Sequence, residues 1–278
     1  MARPRKQPVD YLRVMAMAMT IADEARIART GYAMARWFEQ IHGMESGSLD
    51  PKPWRLFLRG HQPQHSTLNK LLLACPQASD VYHHPLWKLL KEDCDYSTRI
   101  DVLNRYGAVS PSSSYYLLKE LQKYKSFDRL AIFIASTCTA IDLRGGQAYQ
   151  DFLDVVAQLL IERKWTILQE EFSSVVFGAV EKVGGVFFDS ASYEIRGVIK
   201  FWEAVYEGYY SPAGRDYSDV WLTWRCVIRE MNWLERMNLT KYLRTRADKG
   251  SAENIDGEKQ LKRIQRKVYR CCPRTITV

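Results

Sequence analysis

The chain has 278 residues, 46% of them hydrophobic, 12% aromatic and 26% charged, enough for one large domain or two modest ones. Forty Lys and Arg against 32 Asp and Glu leave a formal charge of +8, which favours an acidic partner over a basic one. The longest apolar run, Leu130 to Ile141, is shorter than the roughly 18 residues a membrane span requires, so no membrane association is expected.

In chain order, the first feature is a basic arm, Arg3, Arg5 and Lys6 set around Pro4 and followed by Pro8. Such an arm suits entry into a minor groove and is equally the disordered start of many soluble chains. The apolar stretch Val14 to Ala22 lacks a signal-peptide cleavage pattern and runs into Asp23-Glu24. Six cysteines are spread over about 200 positions with no Cys-x-x-Cys, and Cys271-Cys272 read as tail thiols. A cytoplasmic protein with reduced thiols is expected.

Periodicity predicts a long helix over Val9 to Ala28 and a second over Tyr32 to Ile41. Shorter helices among Gly, Pro and His follow, and residues 1–110 read as a small N-terminal helical domain. Pro111-Ser-Ser-Ser114 is either a hinge or a plain helix N-terminus. Ser112 to Ser211 contain no proline, which permits long helices. Tyr115, Leu118, Leu121 and Gln122 recur at helical spacing, as do Leu130, Phe133, Ile134 and Thr137, and again Phe152, Val155, Val156, Leu159 and Leu160. Each set predicts an amphipathic helix, with Gly145-Gly146 and Gly184-Gly185 as stops and Ser126 or Asp128 as a cap. Val183 to Phe188 reads as strand or as a helix junction. The fold expected is all-α, a helix-turn-helix-like N-terminal domain followed by a larger antiparallel helical array over residues 111–246.

Residues 247–278 read as a linker and a basic amphipathic tail. From Lys241 onward 11 basic and 4 acidic side chains give a net +7. Leu261, Ile264 and Val268 share one face of the tail helix, and Lys262, Arg263, Arg266, Lys267 and Arg270 surround it. That helix can follow phosphates, lie on an anionic surface, or dock its apolar stripe on its own protein.

One segment carries a specific functional expectation. Gly31 to Gly43 reads as one helix ended by glycine, Lys52 to Gly60 as a short second one, and Thr67 to Cys75 as a third after His61-Gln-Pro-Gln-His-Ser66. Residues 31–78 in this order resemble the lambda-repressor-like helix-turn-helix domain. The resemblance implies DNA binding, with Arg55 and Arg59 facing phosphates or guanine edges. Gln62, Gln64, His65 and Lys70 would face the backbone, and Trp54, Leu56, Phe57, Leu68 and Leu71 would be core. Nine residues, Met44 to Lys52, stand between Gly43 and Pro53, where that family has a tight turn. A helical hairpin with packed aromatics and solvated arginines has the same pattern.

Other chemistries are less well supported by the pattern. All five histidines, His42, His61, His65, His83 and His84, lie within 43 residues, but Pro63 splits His61 from His65 and no carboxylate completes a zinc motif. Arg55 to His61 and Arg59 to His65 have the spacing of HEPN-type ribonucleases, which they resemble only in that motif, with Gly60 and Pro63 interrupting the helix that would carry it. Asp151, Asp154, Glu162, Glu170 and Glu171 follow a helical period and are expected on solvated faces. Trp202, Trp221, Trp224 and Trp233, near Arg225, Arg229 and Arg236, are expected in the core rather than on a base-stacking surface. No cofactor motif, phosphate loop or catalytic signature is present, so no cofactor or metal is expected. The leading expectation is a nucleic-acid-binding protein, duplex DNA first, in a regulatory or accessory role. The alternatives are an all-α RNA-cleaving effector and a scaffold that holds a protein partner on its helical array.

Overall fold

The computed structural model describes residues 6–107, 121, 124–137, 147–184, 198–199 and 202–203. Among the described residues the chain is all-α, with no strand. The helices are α1 (Pro8–Glu24), α2 (Gly31–Ile41), α3 (Pro51–Leu58), α4 (His65–Ala74), α5 (Pro76–His83), α6 (Leu86–Leu89), α7 (Tyr96–Arg105), α8 (Ser126–Thr137), α9 (Gln147–Glu162) and α10 (Gln169–Gly184), with a 3-10 turn at Thr166–Leu168. The Pro111 hinge, Tyr115, Leu118, Gly145-Gly146, residues 185–188, the three later tryptophans and the basic tail lie outside the described residues.

The first helix is packed on two sides. Val9, Leu12, Ala16 and Met19 form one stripe of α1 and join a cluster with Leu86, Trp87, Val102, Leu130, Phe152 and Trp165. Val14, Ala18, Ile21 and Ala22 form another stripe and join Met34, Phe38, Trp54, Phe57, Leu68 and Leu71. The first of these clusters draws residues from both sides of position 110. Around α1 stand α3, α5, α6 and α10, while α8 packs against α6, α7, α9 and α10.

Two helix ends near the first turn of chain differ from the sequence reading. α1 stops at Glu24, four residues short of Ala28, because Arg26 turns into the left-handed region at φ 54°. The Arg26 N–H reaches the Asp23 carbonyl at 3.2 Å and the Ile27 N–H reaches the Ala22 carbonyl at 2.9 Å. This is a Schellman closure built on arginine rather than glycine, a signal that a search for glycine overlooks. α4 begins at His65, two residues before Thr67. The α2 boundaries agree with expectation: the Thr30 hydroxyl accepts from the Ala33 N–H, and Gly43 follows at φ 62°.

α9 is not amphipathic as expected, since residues 152–161 are all buried. Asp154, expected on a solvated face, is 6% exposed and accepts a hydrogen bond from Trp202 Nε1 at 3.2 Å. The aspartate is therefore a buried polar partner to a core tryptophan, as buried indole N–H groups generally require. Trp202 itself is fully buried, in the core as expected.

The nine-residue segment between Gly43 and Pro53 is folded around one carboxylate. Glu39, 1% exposed, accepts from the Gly47 N–H at 3.0 Å, the Leu49 N–H at 2.6 Å and the Ser48 hydroxyl at 3.3 Å. Arg36 Nη1 pairs with the same carboxylate at 2.8 Å, and its Nη2 donates to the Leu49 carbonyl at 2.9 Å. The long α2–α3 connection is thus an ordered turn. Replacing Glu39 by Ala leaves Arg36 and two backbone N–H groups without their acceptor, and is expected to cost about 3 kcal/mol of unfolding free energy. Urea denaturation checks this, and an unchanged midpoint would contradict the role given to Glu39.

Candidate functional site

The α3–α4 corner is set by how α3 begins and ends. The Asp50 carboxylate caps its start by accepting from the Lys52 N–H at 2.9 Å, with Pro51 in the first helical position. At its end the Gly60 N–H reaches the Phe57 carbonyl at 2.9 Å and the His61 N–H reaches the Leu56 carbonyl at 3.0 Å. Gly60 sits at φ 87°, and a Cβ there would lie 2.6 Å from the Tyr11 carbonyl oxygen of α1. Glycine is required on both counts, conformation and space.

Between the cap and this turn, Trp54 and Phe57 point into the core while Lys52, Arg55, Leu56 and Arg59 are exposed. Their spacing of 3, 4 and 7 makes one continuous outer stripe. Leu56, expected in the core, is 40% exposed on that stripe because Phe57 and Trp54 already occupy the inner one. Leu68 and Leu71 are buried as expected. Gln62, Gln64 and His65 follow in the loop and at the start of α4, all exposed, and the Gln64 side chain makes no capping bond. Lys70 is exposed about one and a half turns along α4, where it lines a separate groove.

Charge distinguishes this corner from its surroundings. Residues 51–79 hold Lys52, Arg55, Arg59, Lys70 and two histidines but no Asp or Glu. None of these four cations forms an ion pair with a described residue, whereas Arg13, Arg29, Arg36 and Lys91 each face a carboxylate. The basic arm reaches the same corner: Lys6 Nζ lies 5.8 Å from the Tyr11 ring centroid, and the His61 ring meets Tyr11 edge-on at 5.7 Å. Tyr11 thereby joins the end of the arm to the α3–α4 turn. Arg3, Arg5, Lys262, Arg263, Arg266, Lys267 and Arg270 lie outside the described residues.

The histidines do not converge. The His42 ring lies 4.3 Å from the Phe38 ring centroid, tilted at 59°, His83 meets Tyr82 edge-on at 5.1 Å, and no three of His, Cys, Asp and Glu come together for a metal among the described residues. The Arg-to-His motifs cross the end of α3 rather than lying on one helix.

A second polar cluster was not legible in the sequence. His84 Nδ1 accepts from the Leu86 N–H at 3.1 Å, which leaves Nε2 protonated and donating to Asp128 Oδ1 at 2.9 Å. The Tyr106 hydroxyl donates to the same Asp128 oxygen at 2.7 Å, and the Tyr124 hydroxyl donates to the Tyr106 carbonyl at 2.7 Å. Asp128, expected as a helix cap, is instead the acceptor that gathers the ends of α5, α6 and α7 onto α8. Burial lowers the His84 pKa below its ordinary value, and the Arg105 and Arg163 charges act in the same direction while Asp128 opposes them. The His84 hydrogen bond holds the Asp128 carboxyl below its usual range, and burial with the Asp128 contact pushes the Tyr106 hydroxyl up. Both imidazole nitrogens are engaged, so the arrangement is a structural tie between helices rather than a poised base.

Comparison with known proteins returns no matching family model, curated protein or solved structure.

The tie predicts a pH dependence of stability. With the folded pKa of His84 below 6.5, the unfolded chain takes up the proton first. Its contribution is therefore intact above about pH 6.5 and falls with acidification, by at most about 1.4 kcal/mol per pH unit, until the folded imidazole also protonates. Asp128 adds a contribution present above its ordinary value of 3.8 and lost below it. Chemical unfolding between pH 5 and 8 should show a shallower slope for His84→Ala than for the unaltered protein; equal slopes would remove His84 as the source.

Proposed function

We propose that the protein binds nucleic acid, duplex DNA first, through the α3–α4 corner, and acts in a regulatory or accessory role. The observation that carries the reading is the carboxylate-free surface of residues 51–79, whose exposed Lys52, Arg55 and Arg59 have no ion-pair partner among the described residues. A cationic stripe without internal partners supplies the phosphate attraction that dominates such binding. Lys52, Arg55 and Arg59 on one side of a short helix have the reach for phosphates or guanine edges, and Gln62, Gln64 and His65 bring polar groups of the kind that contact backbone and base edges. Lys6 extends the positive surface from the arm side, consistent with the arm following the backbone or entering a groove.

The helix-turn-helix resemblance enters here as part of the proposal. α3 packs on both α2 and α1, and its outer stripe is free to face a ligand, as a recognition helix must be. The turn before it is the Glu39-anchored loop rather than a tight one. The alignment of α3 with a groove would therefore differ from that of the tight-turn family, with the ordered loop standing beside it.

Fluorescence anisotropy with labelled duplex DNA, single-stranded DNA and RNA, at two salt concentrations and with probe integrity followed on gels, tests the reading. Duplex retention that weakens steeply with salt is the expected result. Arg55→Ala and Arg59→Ala should each weaken binding and reduce the salt slope by about one. Unchanged slopes would remove those two arginines from the interface, and shortened RNA would favour the cleaving alternative.

A further inference from the structure

We propose that the groove between α2 and α4 is a self-association surface that a second copy of this chain fills. The groove is open, about 630 Å³, and is lined by Trp37, Ile41, His42, Leu73, Lys70 and Glu24. Two large apolar side chains of its lining stand in water: Leu73 is 83% exposed and Ile41 41%. Scattered single hydrophobics are ordinary on a surface, but here two of them line one hollow together with the partly buried Trp37.

What selects a second copy as the occupant is that the patch is complementary to itself. A two-fold interface joins the same patch on both subunits, so the patch must contain both a projection and a recess, and both signs of any charge it buries. Leu73 is the projection and the hollow beside it is the recess. Glu24 and Lys70 supply one charge of each sign within the same lining, and neither forms an ion pair with a described residue. Ser66, Asn69, Lys70 and Leu73 are all exposed at helical spacing, so an antiparallel pairing of α4 with its copy brings each Leu73 over the opposite groove and each Lys70 toward the opposite Glu24. A partner of uniform charge would leave one of the two ions unmatched.

The surface is distinct from the α3 stripe, so its test needs no nucleic acid. Sedimentation equilibrium of the full chain over a concentration series, at low salt, is expected to show a monomer–dimer equilibrium. Leu73→Glu should weaken association by roughly tenfold or more while leaving the far-ultraviolet circular dichroism unchanged, since Leu73 contributes almost nothing to the core. Glu24→Lys and Lys70→Glu should each weaken it through like-charge contacts, and the double variant should restore it. A monomer at every concentration would overturn the proposal, as would a dimer that Leu73→Glu leaves intact or a double variant that stays dissociated.

Discussion

The structure depends on a single helix being buried on two sides. α1 presents Val9, Leu12, Ala16 and Met19 to one cluster and Val14, Ala18, Ile21 and Ala22 to the other. Small residues at positions 16, 18 and 22 let neighbouring helices come close on both sides, and the buried Thr20 hydroxyl donates back to the Ala16 carbonyl at 2.9 Å. Moving any neighbour of α1 disturbs both clusters, because close-packed interiors transmit displacement. The candidate corner inherits its position from this arrangement: Gly60 rests on the Tyr11 backbone, so the turn after α3 is referenced directly to α1.

Charge in the N-terminal helices divides into two kinds of use. Buried or half-buried ions are spent on architecture: Glu39 with Arg36 orders a loop, and Asp128 with His84 and Tyr106 ties helix ends together. Their partners are numerous and their geometry closed, as the cost of removing charge from water demands. The ions of the α3 stripe have no such partners and stay in solvent. Cations exposed along a stretch that holds no carboxylate, as residues 51–79 do, make a surface whose electrostatic field extends outward.

Much of the helical framework was legible because its signals are local. Gly43 and Gly60 close the helices that end at them, and the periodic sets around Phe133 and Leu159 read as helices, each decided within a few residues of chain. The failures are non-local or chemically atypical. Asp128 meets His84 across 44 positions and Asp154 meets Trp202 across 48, and no pattern of spacing announces such pairs. α9 reads as amphipathic because Asp154 and Gln158 interrupt its apolar run, yet both are buried. Leu56 is core in the helix-turn-helix resemblance, and only the packing of Trp54 and Phe57 shows the inner stripe already filled. At the proposed interface the residue types were visible in advance, whereas the absence of partners for them and the meeting of Lys6, Tyr11 and His61 required the fold.

The double duty of α1 also fixes an order of assembly. Every buried member of the cluster around Met34 and Trp54 lies between positions 14 and 82, so it can condense as soon as that stretch has been synthesised. The opposite stripe of α1 has to wait for Leu130, Phe152 and Trp165, residues made long afterwards. During that interval Val9, Leu12, Leu86 and Trp87 have no cover from the later helices, and the nascent chain carries an apolar seam that other chains can reach. Translation speed through the middle third, and any chaperone that occupies the seam meanwhile, therefore bear on the yield of folded protein as directly as the stability of the finished fold does.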